Sequence, residues 1–401
     1  MKKKVNNKKK RKMDVFNKYL LVKKVVGSKA LPVAIGASIV FIICLFGWIP
    51  GLTFLNLFEI DVVLSVGLVT VITWIIAFIE KFINRRIEER IKLNGNYDDH
   101  IKKYNKENIF ESNGKKYPLV ELSDNVKKVN AFISNDITYN LDPVIVHYMS
   151  ELMNAHKTSK FKNKVIYRVD HLSVDNECVN VNLSLSDMYK TLLTNRVMDF
   201  EIHDHITVRE VFEPGPKLNT FENSKLCNGL GFNFIIKTMD NYYALVKKTG
   251  KNPTSKFKFN TCSSTLTTHF NDDDHDYLGM LKQLSYNALI TNFNYPKDKE
   301  KYKEILEEDI RYLGLIRNLI EGGKPELCYE LSLHINKNEL LDLFNHMSNK
   351  VNKDRGNKEI IVFKKDEYEI KEYNKVKFKS KEKEEGLPLV SVYILEKLKN
   401  D

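Results

Sequence analysis

Two long runs without a charged residue constrain this chain more than any other feature. The first extends from Ala30 to Phe58 and opens with ALPVAIGASIVFIICLFGWIPGL. The second, Val62 to Ile79, reads VVLSVGLVTVITWIIAFI. Each approaches the ~20 apolar residues that cross a bilayer core. The stretch between them is short and holds Pro50, Gly51, Glu59 and Asp61. The pattern predicts an antiparallel transmembrane hairpin over residues 30–83, with spans near 30–51 and 62–80. A cleaved signal peptide has an apolar run of only about 7–15 residues and no second span. Two such uncharged runs also disfavour a buried hairpin of a water-soluble protein.

The flanks give the orientation. Residues 1–29 carry twelve Lys or Arg and one acid, Asp14. After the second run stand Lys81, Arg85, Arg86, Arg90 and Lys92, and the loop between the runs has no Lys or Arg. Cytoplasmic flanks concentrate basic residues, so both termini are expected in the cytoplasm. The chain as a whole has 63 basic and 52 acidic residues, a net charge of +11. The tail alone accounts for that excess, and the remainder is balanced at 51 of each. The body therefore lacks the charge of a nucleic-acid binder. Some tail lysines reflect the Lys-, Asn- and Ile-rich bias of the whole chain; others suit anionic headgroups, at ~1 kcal/mol each near the surface. The mean hydropathy of −0.36 excludes a polytopic transporter. The two runs contain no Asp, Glu, Lys, Arg or His, hence no ion-relay residue.

Beyond the second run, Ile83, Ile87 and Ile91 recur every four residues among Arg and Glu. This predicts an amphipathic helix ending by Asn94-Gly95-Asn96. Both an interfacial helix and an oligomerisation stalk fit it. Residues 84–163 read as this helix plus a helical linker, with helices over Asn125–Asn135 and Val144–His156. From 164 to 401 the patterning is that of an α+β domain with a mixed sheet. Strands are expected at Val165–Val169, Cys178–Leu185, Phe232–Lys237, Tyr242–Lys247, Ile310–Arg317, Leu327–Ile335 and Glu359–Lys364. Helices are expected at Ser186–Asp199, Asp276–Asn292 and Asn336–Asn349. Thr238-Met239-Asp240-Asn241 joins two of the strands as a hairpin.

Two segments carry a resemblance. SKLCNGLGFNFIIKTMDNYYALVKKTG, Ser224–Gly250, looks like the opening of a Nudix domain: strand, short turn, second strand with basic residues at its end. YLGLIRNLIEGGKPELCYEL, Tyr312–Leu331, is similar to the late strands of divergent Nudix proteins. The helix at 276–292 falls where the Nudix helix stands. Joined to a two-span N-terminus, the chain resembles the transmembrane–Nudix effectors of CBASS antiphage systems. The resemblance implies a bacterial cell-membrane protein. Its cytoplasmic domain would bind a cyclic or related nucleotide second messenger, oligomerise and disrupt the membrane.

Catalysis in that family needs the box G-x5-E-x7-R-E-U-x-E-E-x-G-U, whose glutamates hold Mg²⁺. Tyr277–Pro296 here contains no Glu or Asp, and Tyr286, Asn287, Ile290 and Thr291 stand where the acids belong. The domain is therefore expected to be catalytically inactive and without a cofactor. The alternative is a membrane-tethered Nudix-type phosphohydrolase using Asp272, Asp273, Asp274, His275 and Asp276, a run that otherwise reads as a solvated loop before a helix. A scaffold that recruits a partner to the membrane is a third reading. His203-Asp204-His205 has no further ligand at a recognisable spacing. Cys44, Cys178, Cys227, Cys262 and Cys328 show no C-x-x-C and fit a reducing compartment. Asn228-Gly229-Leu230-Gly231 is too short for a phosphate loop and reads as a turn into a strand.

Without a metal, phosphates need basic side chains, hydroxyls and backbone N–H groups, and bases need aromatic faces. The resemblance puts the cleft beside the helix and the sheet. It thereby nominates Lys237, Lys247 and Lys248 on the first hairpin, Ser263 and Ser264 before the helix, and Arg317 and Lys324 from the late segment. Tyr242, Tyr243 and Tyr286 are candidate stacking residues. Tyr242 and Tyr243 point to opposite faces of a strand, so at most one lines a given pocket.

Overall fold

The computed structural model describes residues 75, 78–79, 92–123, 126, 128–156, 163–175, 177–203, 205–248, 258–265, 277–293, 295–296, 304–346 and 357–400. The first apolar run, nearly all of the second, the Ile83–Ile87–Ile91 segment and the Asp272–Asp276 run lie outside the described residues. Within the second run Ile75, Phe78 and Ile79 are helical and exposed. No helix among the described residues is long and apolar enough to cross a membrane. The chain divides into two compact units, Met1–Arg90 with Ser150–Thr158, and Ile91–Met149 with Ser159–Asp401. All the described strands belong to the second unit.

The elements run α1 (Tyr97–Lys103), β1 (Ile109–Ser112), β2 (Lys115–Ser123), β3 (Lys128–Thr138), α2 (Pro143–Ala155), β4 (Val165–Asp175), β5 (Cys178–Asp187), α3 (Met188–Leu193), β6 (Glu201–His203), β7 (Ile206–Thr207) and α4 (Val208–Phe212). Then come β8 (Gly231–Thr238), β9 (Tyr243–Lys248), β10 (Phe259–Asn260), β11 (Cys262–Thr265), α5 (Tyr277–Phe293), β12 (Ile310–Asn318), β13 (Lys324–Leu333), α6 (Lys337–Asn345), β14 (Asn357–Phe363), β15 (Tyr368–Glu372), β16 (Lys375–Phe378), β17 (Glu385–Gly386) and α7 (Leu389–Asn400). Mixed α and β structure is thus present, as the patterning predicts.

The main sheet has the order β1-β2-β12-β13-β8-β9-β10, with β11 added to β8 and β14 to β9. β8 and β13 pair in parallel, while the other neighbours are antiparallel. Alternation sorts the side chains. Phe232, Phe234 and Ile236 of β8 join Leu327, Tyr329 and Leu331 of β13 in one core, against Leu281, Leu284, Leu289 and Phe293 of α5. Ile235, Tyr243, Leu245 and Cys328 enter a second core with Val392, Tyr393, Ile394 and Leu395 of α7. Burying one such large apolar side chain contributes ~1.5–3 kcal/mol, and Phe232, Phe234, Phe293 and Tyr393 are fully buried.

A smaller sheet, β3-β5-β4, shares the first core through Val169, Val179, Val181 and Leu183. It connects to β8 at the Asn228–Leu230 turn: the Val169 N–H donates to Asn228 O at 3.2 Å and the Leu230 N–H to Tyr167 O at 3.1 Å. Asn228-Gly229-Leu230-Gly231 is accordingly a turn into a strand. Gly231 allows a close approach there: a Cβ would lie 1.8 Å from Glu326 Oε2 and would have to displace that carboxylate.

Two expectations are corrected. Asn125–Asn135 is not a helix: β3 occupies Lys128–Thr138 and pairs in parallel with β5. Residues 109–123 are not connecting segment either, since β1 and β2 belong to the main sheet, with β2 antiparallel to β12. The start of the unit is pinned at Asn94. Its N–H donates to Asp199 Oδ2 at 2.7 Å, its carbonyl meets His100 Nε2 at 3.0 Å, and Asp199 holds buried Arg209 at 2.8 and 3.2 Å.

Candidate functional site

The small sheet owes its two faces to strict alternation in β5, CVNVNLSLSD. Val179, Val181 and Leu183 enter the core, so Asn180, Asn182 and Ser184 project from the other face. β3 and β4 are in register with it. Asn130 lies opposite Asn180, Phe132 opposite Asn182 and Ser134 opposite Ser184, while Arg168 faces Ser184 and His171 faces Asn182. One row across the three strands therefore reads Phe132–Asn182–His171, and the next reads Ser134–Ser184–Arg168. Asn130 Nδ2 donates to Asn180 Oδ1 at 3.0 Å and closes the row below.

This face and the segment around Glu222 bound a cleft of about 460 Å³, within the ~300–1,000 Å³ of ordinary small-molecule sites. Phe132 is 58% exposed and Ile133 42%, which gives the cleft an apolar wall. Arg168 forms the opposite side. Its Nη1 meets Asp170 Oδ1 at 2.5 Å, and its Nη2 donates to the Phe221 and Ser224 carbonyls at 3.4 and 3.3 Å. The guanidinium lies 4.8 Å from the centre of the Tyr139 ring, a cation–π distance. Arg168 Nε and Ser184 Oγ are buried without a hydrogen-bond partner. Each such group costs ~1–3 kcal/mol, and an acceptor arriving at Nε would recover part of it. At the rim His171 pairs with Glu222. A hydrogen bond at its own backbone, together with His171, holds the Glu222 carboxyl below the usual carboxylate range. Burial pushes the Tyr139 phenol up.

The residues nominated from the sequence fall elsewhere, and mostly inside. Lys237, Arg311 and Tyr243 converge on Glu330: Lys237 Nζ is 3.7 Å and Arg311 Nη2 2.8 Å from its carboxylate, and Tyr243 Oη donates to it at 3.1 Å. Lys247 lies 3.0 Å from Glu385 and 3.7 Å from Glu359. Lys324 pairs with Glu326, which also accepts from Asn233 Nδ2 at 2.9 Å. Ser263 is exposed on β11 directly across from Asn233. Lys248 and Ser264 belong to β9 and β11 by their backbones, and their side chains lie outside the described residues.

Tyr243 and Tyr286 cannot act as stacking platforms. Both are buried, the first in the α7-side core and the second in the α5-side core with its hydroxyl on Pro296 O. Tyr242 instead carries Lys337 and Lys364 over its ring at 4.5 and 4.9 Å. Arg317 is also interior. Its Nε donates to Gly323 O at 3.0 Å, its Nη1 to Asn219 O at 2.9 Å, and burial pushes its pKa down. Its guanidinium lies 4.3 Å from the centre of the Phe221 ring, so it braces the segment that Arg168 holds from the cleft side.

Sequence reasoning missed Phe132, Arg168, His171 and Asn182. The signal was available in CVNVNLSL, whose polar alternates must face something other than the core. Among the described residues no three His, Cys, Asp or Glu are grouped to hold a metal ion. Neither the models of known protein families nor the curated proteins compared with this chain give a match.

Proposed function

We propose that the chain is a membrane-anchored effector whose 91–401 region binds a nucleotide second messenger without hydrolysing it. The observation that carries the ligand-binding half is the cleft on β3-β5-β4. It combines a half-exposed aromatic ring, a polar row of Asn182 and Ser134, and an arginine held in place with one donor unspent. Rings and a few fixed polar groups are what a nucleotide's base requires. The Nudix part of the reading rests on the two sequence segments, Ser224–Gly250 and Tyr312–Leu331, and on the helix between them. The absence of any carboxylate in α5 supports binding over hydrolysis, because Mg²⁺ chemistry on phosphates needs carboxylate ligands. The membrane half rests on the two uncharged runs and their basic flanks. Two helices without a charged residue enclose no aqueous pore, so disruption of the membrane requires several chains. A ligand drives such assembly by binding the assembled form more tightly.

The test is a nucleotide panel, cyclic and linear, with Mg²⁺, applied to the full chain in lipid nanodiscs. The expected outcome is a ligand-dependent rise in the unfolding midpoint with the nucleotide recovered intact. Saturation at about 100 times Kd contributes ~2.7 kcal/mol. Recovery of hydrolysed product would reverse the assignment in favour of a phosphohydrolase. Absence of any shift or turnover would leave a scaffold as the better description.

A further inference from the structure

We infer that the cleft on the small sheet is an adenine pocket: it takes the base of the nucleotide and leaves the phosphates outside. This rests on the ligand-binding reading above and says which part of the ligand enters. The first ground is charge. The lining holds one permanent cation, Arg168, already matched with Asp170, and a second carboxylate, Glu222, hydrogen-bonded to His171. A triphosphate would bring several negative charges beside Asp170 and Glu222, and the one cation of the lining, already paired with Asp170, offers a single Nε–H against them. A neutral heterocycle meets no such opposition.

The second ground is shape and register. Phe132 is the most exposed apolar side chain of the lining. Asn182 stands opposite it on the next strand, one strand spacing of ~4.8 Å away. A base lying on the Phe132 ring therefore carries its edge over the Asn182 amide. Base stacking on one aromatic ring gives about a 5- to 150-fold gain.

The third ground is the hydrogen-bonding pattern. Guanine offers two acceptors, O6 and N7, and is read by a free Arg or Lys fork. Both terminal nitrogens of Arg168 are occupied, by Asp170 and by two backbone carbonyls, which leaves the single Nε–H donor and no two-pronged fork. Adenine offers the N7 acceptor beside the N6 donor, which an Asn amide matches with its own donor and acceptor. Asn182 is exposed on this face, and none of its polar atoms is tied to Asn130 or Asn180, which pair with each other.

Equilibrium dialysis of labelled adenosine against the full chain in nanodiscs tests this, with guanosine, cytidine and ATP as competitors. Adenosine should bind, guanosine and cytidine should compete at least about tenfold less well, and ATP should compete no better than adenosine itself. Phe132→Ala and Asn182→Leu should each weaken adenosine about tenfold or more with an unchanged unfolding midpoint, while Phe132→Tyr should retain it. Guanosine preferred over adenosine, ATP preferred over adenosine, or adenosine binding unaffected by Phe132→Ala would each overturn the inference. In the last case nucleotide binding elsewhere on the chain still upholds the proposed function. Failure of every nucleoside and nucleotide to bind overturns both.

Discussion

The main sheet and the small sheet each present basic and polar side chains, yet they use them in opposite ways. On the main sheet most of the nominated cations are spent on carboxylates, whereas Arg317 is held by the Gly323 and Asn219 carbonyls. Glu330 gathers Lys237 and Arg311, Glu326 takes Lys324, and Lys247 lies between Glu359 and Glu385. On the small sheet the one arginine of the face is held by Asp170 and two carbonyls, and the row beside it is left open with Phe132 at its end. A lysine count along a strand therefore measures how much charge the chain must neutralise. What is open to a ligand is decided by the neighbours that folding brings: an acid on adjacent strands for Lys237, Arg311 and Lys247, one on the same strand for Lys324, and one from the β15-β16-β17 sheet for Lys247.

The largest effect should come from breaking the main-sheet network at its hub. Glu330 is 4% exposed, and Glu330→Ala removes the carboxylate on which Lys237, Arg311 and the Tyr243 hydroxyl converge. Removing one partner of a buried ion pair costs ~3–5 kcal/mol. Because Lys237 and Arg311 keep some solvent contact, a loss at the lower end of that range is expected. Urea unfolding followed by circular dichroism measures it, and a loss under ~1 kcal/mol would show that the network is as dispensable as a surface pair.

The small sheet should answer to the reverse experiment. Phe132→Ala removes a half-exposed ring, so stability should stay within ~0.5 kcal/mol. The ligand-induced stabilisation, up to ~2.7 kcal/mol at about 100 times Kd, should vanish. A variant that loses stability but keeps the ligand shift would place the ring in the core and invert the contrast between the two sheets.

The sequence was legible where residue type, period or length pointed one way. CVNVNLSL alternates, FNFIIK and VIYRV are short β-branched and aromatic runs, and each forms a strand at its expected place. Helix α5 was also legible, although it is buried nearly all round, because seventeen residues are too long for a strand. NVKKVNAFISN misled because Val126 and Val129 stand three apart and imitate a helical stripe, and parallel pairing with β5 overrides the imitation. Reading 105–163 as a linker passed over Asn113-Gly114. Both residues have positive φ, 52° and 71°, and they turn β1 into β2, the arrangement in which this dipeptide is strongly favoured. The candidate site was less legible than the fold. Which cations are neutralised depends on acids remote in the chain: Glu330 is 19 residues from Arg311, and Glu385 is 138 residues from Lys247. No local pattern encodes those two partners, whereas Lys324 and Glu326 stand only two residues apart.

The two regions can also be compared through their histidines. His171 lies at the cleft rim, half exposed beside Glu222, whereas His100 is buried in α1. Burial, followed by the positive charge of Arg209, pushes the His100 pKa down from 6.5; Asp199 and Asp99 oppose the shift. A folded-state pKa below the unfolded one means that the unfolded chain binds more protons as the pH falls below about 6.5. The contribution of neutral His100 is thus complete above that pH and is lost as the pH falls through the folded-state value. Unfolding midpoints should decline as the pH is lowered from neutral through that range, and His100→Gln should flatten part of the slope. An unchanged slope would mean that protonated His100 is accommodated at Asn94.

The smallest effect should be that of Lys247, and it is the sharpest check on how the main sheet spends its charge. Its ammonium has two carboxylates within 4 Å and lies 4.9 Å from the centre of the Phe259 ring. Replacement by Met keeps the stem on the ring and removes only the charge. Glu359 retains Lys381 as a partner, so one acid, Glu385, loses its cation. Glu385 remains partly exposed at 18%, where water replaces the lost partner. A pair of this kind contributes ~0.2–1 kcal/mol. Lys247→Met should therefore cost under ~1 kcal/mol in urea unfolding, and nucleotide binding should be unchanged. If binding is lost while stability holds, Lys247 contacts the ligand after all, and the main sheet rather than the small one carries the site.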